Sequence, residues 1–105
     1  MLKHPQITLT DSLLNQQKYQ IADDVLYRQV DTEAILLSIS GGAYYSLNET
    51  SIYIWDALKN QQPLASAVDR ILDEYDVERT QVLTDLQQVL QDLSAYGLIS
   101  PVNLE

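Results

Sequence analysis

A chain of 105 residues, 46% of them apolar, suits one domain with a modest core. Fifteen acidic residues against six basic ones give a net charge of −9, a field that repels a phosphate backbone and argues against a nucleic-acid partner. The absence of cysteine excludes disulfides and thiolate metal sites, and no run approaches the ~18 apolar residues needed to span a bilayer.

Residues 1–20 read as an arm, rich in Gln, Thr, Asn and Lys, with only short apolar pieces such as Leu13-Leu14, and are expected either to be disordered or to add a weak strand. Met1-Leu2-Lys3-His4-Pro5 carries a base with no apolar run behind it, so it does not read as a secretory signal, and the expected location is the cytoplasm. Residues 21–100 then form the expected domain, and 101–105 a tail. From Val25 to Val30 apolar and polar residues alternate, as in a strand. Asp31-Thr32 is a tight turn. Glu33 to Ser40 reads as a second strand, buried on both faces at its centre. Gly41-Gly42 supplies a hairpin turn, and Ala43 to Leu47 a short third strand with two tyrosines.

After Leu47 the period changes from two to 3.6. Asn48 can cap a helix through its side-chain oxygen, and Ile52, Trp55 and Leu58 then share one stripe, with Ile54 at its edge, up to about Asn60. Pro63 is tolerated at a helix start, and Leu64, Ala67, Val68, Ile71, Leu72 and Tyr75 form the apolar face of the second helix. Asp76 is a candidate cap for a third helix bearing Val82, Leu83, Leu86, Val89, Leu90, Leu93 and Tyr96. Gly97 ends it as a residue free to turn left-handed, and Pro101 blocks continuation. The predicted fold is α+β and winged-helix-like: a three-stranded antiparallel meander followed by three helices.

Little here points to catalysis. The single histidine, His4, lies in the arm, so no Ser–His pair can be built on a rigid scaffold. Asp73, Glu74, Asp76 and Glu78 cluster at a turn but lack calcium-loop spacing. Gly41-Gly42 opens no helix and has no Lys at phosphate-loop spacing. Trp55 reads as core, and aromatic stacking on nucleic acid would lack bases to answer the backbone charge. The expectation is a non-enzyme with no cofactor and no metal.

One run carries more information. Tyr45, Leu47, Asn48, Thr50, Ile54 and Trp55 follow a turn glycine in the pattern Tyr-x-Leu-Asn-x-Thr…Ile-Trp, and Leu93, Gly97, Leu98 and Ile99 close the last helix. Over residues 20–100 this resembles the PqqD-like proteins, also called RiPP recognition elements. The resemblance implies three strands followed by three helices. It also implies a peptide-binding adaptor: the leader of a ribosomally made precursor peptide lies as an extra strand beside the third strand, facing the third helix. A separate modifying enzyme (a radical-SAM maturase, a leader peptidase or a cyclase) then acts on the precursor.

The residue chemistry accommodates such a role. A free strand edge offers unpaired amides and carbonyls to an extended peptide. Strand parity sets Tyr45 and Leu47 on one face, expected to floor the pocket, and Tyr44 and Ser46 on the other. The backbone of Tyr44, Tyr45, Ser46 and Leu47 is expected to pair with the peptide. Val82, Leu86 and Val89 are expected to line the cleft from the third helix, flanked by Asp85 and Gln88 for polar or basic contacts. Two other readings stand beside this one: a winged-helix DNA-binding protein, which needs more bases than the third helix carries, and a non-catalytic structural subunit of an enzyme complex.

Overall fold

Alternation of buried and exposed side chains organises the first half of the domain. The computed structural model describes residues 18–102. After a short strand, β1 (Tyr19–Ile21), come β2 (Val25–Val30), β3 (Glu33–Ser38) and β4 (Tyr44–Leu47), paired antiparallel in the order β2-β3-β4. Three helices follow, α1 (Glu49–Lys59), α2 (Leu64–Glu74) and α3 (Arg79–Ala95), and then β5 (Ile99–Pro101). The meander and the three helices fall in the order the sequence predicts. Met1–Gln17, with His4 and Leu13-Leu14, and residues 103–105 lie outside the described residues.

The Asp31-Thr32 turn joins β2 to β3 with Val30 facing Glu33, and Asp31 takes a φ of 56°, which a short polar residue tolerates. The β3–β4 turn is held by the Gly42 amide on Ser38 O at 2.8 Å, with Gly42 at φ 71°. In β3, Ala34, Leu36 and Ser38 are buried, whereas Ile35 and Leu37 are exposed. The expectation of burial on both faces is therefore corrected: helices cover only one face of this antiparallel sheet.

Asn48 caps α1 as expected, its side-chain oxygen accepting from the Ser51 amide at 2.9 Å and the Ser51 hydroxyl at 2.6 Å. The buried stripe of α1 is Ser51, Ile54, Trp55, Ala57 and Leu58. Ile54 is central to it rather than marginal, and Ile52 is only partly buried. The Trp55 ring stacks on Tyr27 from β2, centroids 6.5 Å apart, and joins α1 to the inner sheet face. Leu64, Ala67, Val68 and Ile71 bury the predicted face of α2.

Helix α3 starts at Arg79 with Glu78 at the cap position, later than the Asp76 start expected, and Asp76-Val77-Glu78 runs on as a connector. Val82, Leu86, Val89, Leu90 and Leu93 are its buried stripe. At its end the Leu98 amide bonds Leu93 O at 2.9 Å and the Gly97 amide bonds Ser94 O at 3.1 Å, with Gly97 at φ 74°. This is the Schellman arrangement that glycine permits. It turns the chain so that Leu98 and Ile99 enter the core. β5 then pairs antiparallel with β1, Tyr19 opposite Pro101, so residues at both margins of the predicted domain form a second small sheet.

Candidate functional site

Strand β4 is an edge of its sheet. Its inward hydrogen bonds are fixed by register: Leu36 faces Tyr45 and Ala34 faces Leu47, and the Ser38 amide continues the ladder to Ala43 O at 2.8 Å. Antiparallel strands alternate the direction of their backbone groups. Tyr45 and Leu47 therefore spend theirs on β3, while Tyr44 and Ser46 turn theirs to the open edge. The edge offers two amides and two carbonyls to an incoming chain.

Beside that edge lies a cavity of about 370 Å³ between β4 and α3. Seven of the nine residues singled out in the sequence line it: Tyr45, Ser46, Leu47, Val82, Asp85, Gln88 and Val89. Two do not. Leu86 is completely buried and packs into the core, because a helical stripe has a core side as well as a groove side. The Tyr44 side chain is exposed on the opposite face of the sheet, so only its backbone addresses the edge.

Sequence reasoning missed the rest of the wall. Ile54 and Ile71 reach the floor from α1 and α2, Val77 comes from the connector before α3, and Glu33, Asn48, Thr50, Ser51 and Gln81 complete the rim. Periodicity assigns Ile54 and Ile71 to helix faces but carries no sign of which faces meet. The asparagine cap was the available signal for Asn48 and Ser51, since a helix N-terminus abutting the edge strand brings its cap residues to that edge.

Among the described residues the lining contains two carboxylate side chains, Glu33 and Asp85, and no Lys, Arg or His. Asp85 accepts from Gln81 Nε2 at 2.9 Å, a one-turn contact that orients it on the helix surface. Across the groove the Tyr45 hydroxyl donates to Asp92 Oδ2 at 2.9 Å, and Gln88 Nε2 donates to Asp92 Oδ1 at 2.9 Å. The Tyr45 ring also meets Tyr96 edge to face at 5.5 Å. Burial first, and then the Asp92 carboxylate, push the Tyr45 phenol up to about 12, so it stays a donor across the physiological range. This contact ties β4 to α3 and sets the separation of the groove walls.

Among the described residues no three His, Asp or Glu side chains gather at metal-binding distance, and no helix is long and apolar enough to cross a membrane. Among the described residues the groove combines an apolar floor, an acidic rim and a strand edge whose outward backbone groups have no partner.

These features define a winged-helix-like α+β domain built around an open strand edge. The chain belongs to the PqqD family: the family model for coenzyme PQQ synthesis protein D (PqqD) matches residues 33–99. Among solved structures it is similar to TbiB1 in complex with the TbiA(beta) leader peptide, with 32% identity, TM-score 0.69, and coverage of 77% of this chain and 94% of that one. It is also similar to a lasso peptide synthetase B1 complexed with the leader peptide, with 26% identity, TM-score 0.71, and coverage of 80% of this chain and 99% of that one. None of the curated proteins matches it.

Proposed function

We propose that this chain is a RiPP recognition element: a non-catalytic adaptor that binds the leader of a precursor peptide as a fourth strand on β4 and presents it to a modifying enzyme. The carrying observation is the open β4 edge beside an apolar groove, in a fold whose solved neighbours hold leader peptides. Tyr44 and Ser46 supply the backbone partners. Tyr45, Leu47, Val82 and Val89 receive every second side chain of the leader, because successive residues of a strand point to opposite faces. Asp85 and Gln88 contact polar or basic leader residues at the rim. Leu86 supports Val82 and Val89 from the core.

Four strand hydrogen bonds contribute ~4 kcal/mol net, about half of the ~8 kcal/mol that micromolar binding needs. Apolar leader residues in the groove must supply the rest, at ~1.5–3 kcal/mol for each fully buried side chain, and must also offset the cost of ordering the peptide. The acidic rim favours neutral or basic leaders. DNA binding fits poorly, since α3 carries one base, Arg79, against Asp85 and Asp92.

The test is an anisotropy titration with a labelled leader peptide encoded beside this chain. Saturable binding is expected, lost when Pro replaces a leader residue that pairs with Tyr44 or Ser46. No binding at high micromolar concentration would refute the adaptor reading and leave a scaffold role within a complex.

A further inference from the structure

The groove occupies one side of β4, and among the described residues nothing covers the other side of the sheet. On it the register aligns Leu26 with Leu37 and Tyr44, and Arg28 with Ile35 and Ser46. Leu26, Val30, Ile35, Leu37, Ile39 and Tyr44 are between 38% and 66% exposed, although apolar residues at these positions contribute nothing to the core. A contiguous apolar patch of this kind marks a contact surface. At the Asp31-Thr32 end it deepens into a hollow of about 450 Å³ that holds Val30 and Ile35 with the acidic side chains Asp31 and Glu33. Ser46 and Glu33 line both this hollow and the peptide groove, so the two surfaces are continuous around the β4 edge.

We infer that this outer face is the docking surface for the modifying enzyme, and that a bound leader completes it. The inference rests on the leader-binding reading above. A strand added beside Tyr44 and Ser46 places alternate side chains in the groove and the intervening ones on the outer face. The enzyme then touches adaptor and leader as one four-stranded surface.

Charge and area choose the occupant. Two chains of net charge −9 repel each other, and the hollow itself is acidic, so a second copy is disfavoured. The complementary partner presents an apolar side chain flanked by Lys or Arg. Two strands of six residues and one of four cover about 250 Å², and a fourth strand brings this to about 330 Å². Stable interfaces bury ~800 Å² per partner, so the contact suits a transient enzyme complex strengthened by the leader rather than a permanent dimer.

The test uses two variants of the full chain, Leu26→Thr/Ile35→Thr and Val30→Thr/Leu37→Thr. Threonine keeps strand propensity while removing apolar surface. Leader affinity is read by anisotropy, and affinity for the modifying enzyme encoded with the chain is read by surface plasmon resonance, with and without leader. Sedimentation reports self-association. The expected result is leader affinity within twofold of the parent and enzyme affinity at least tenfold weaker. For the parent chain, leader should strengthen enzyme binding and raised salt should weaken it. Unchanged enzyme affinity in both variants, with leader binding intact, would overturn the docking face alone. Parent self-association lost in the variants would assign the face to a second copy and overturn it as well. Failure of the parent to bind leader would instead remove the reading beneath it.

Discussion

Removing the Tyr45 hydroxyl tests how the groove is held open. In Tyr45→Phe the ring still packs on Tyr96, but the 2.9 Å bond to Asp92 is lost. Hydrogen bonds to charged groups contribute ~1.5–3 kcal/mol. Tyr45 is only partly buried and Asp92 keeps Gln88 as a donor, so water and that second bond hold the loss to about 1.5 kcal/mol. At ~2.1 cal/mol/K of unfolding entropy per residue, a domain of this size should lose about 7 °C in Tm at pH 7. The pH dependence carries a sign. The phenol titrates near 10 when unfolded and at about 12 when folded, so its contribution is complete below pH 10 and declines as pH rises toward 12. Thermal melts of both proteins from pH 7 to 11.5 should therefore converge at high pH. Leader affinity should fall several-fold, because β4 and α3 are no longer tied. A variant within 0.3 kcal/mol of the parent at pH 7, or a gap that stays constant with pH, would refute the reasoning.

Three further substitutions probe the edge and the turns. Ser46→Pro removes an outward amide from an edge strand, where proline is tolerated, so the fold should survive while leader affinity falls about five- to tenfold by anisotropy. Gly97→Ala meets no atom within 4 Å, so its cost is the positive φ alone, ~1 kcal/mol or about 4–5 °C in a thermal melt. Gln61 ends α1 with φ 56° and no such licence, and Gln61→Gly should raise stability by up to ~1 kcal/mol in a urea titration.

What could be read from the residues alone was what local chemistry determines. Asn48 as a cap, Gly97 as a left-handed exit and the alternation of β2 and β4 all act within a few residues of themselves. The start of α3 was misplaced because Asp76 has the composition of a cap, while Glu78, at the true cap position, makes no side-chain cap bond. A weak strand at the end of the arm was one open reading, but its pairing with β5 left no legible signal: two three-residue strands about eighty positions apart are selected by tertiary closure, and Pro101 reads locally as a terminator. The same distinction divides the site. Residues on β4 and α3 were found by period, while Ile54, Ile71 and Val77 belong to the groove only because three helices converge there. Leu86 shows the limit of a stripe argument, since its spacing fits the groove residues but its direction is the core. The outer face was masked for a related reason: the run Ile35-Leu36-Leu37 looks doubly buried, whereas only Leu36 is.

The most direct test of strand addition is amide hydrogen exchange, read by NMR, on the chain with and without leader peptide. In the free chain the amides of Tyr45 and Leu47 should already be protected by β3, and those of Tyr44 and Ser46 should exchange freely. Leader binding should protect Tyr44 and Ser46 selectively. Protection appearing instead on the other edge of the sheet, at Val25, Tyr27 and Gln29, or saturable binding that leaves Tyr44 and Ser46 unprotected, would contradict peptide capture at β4.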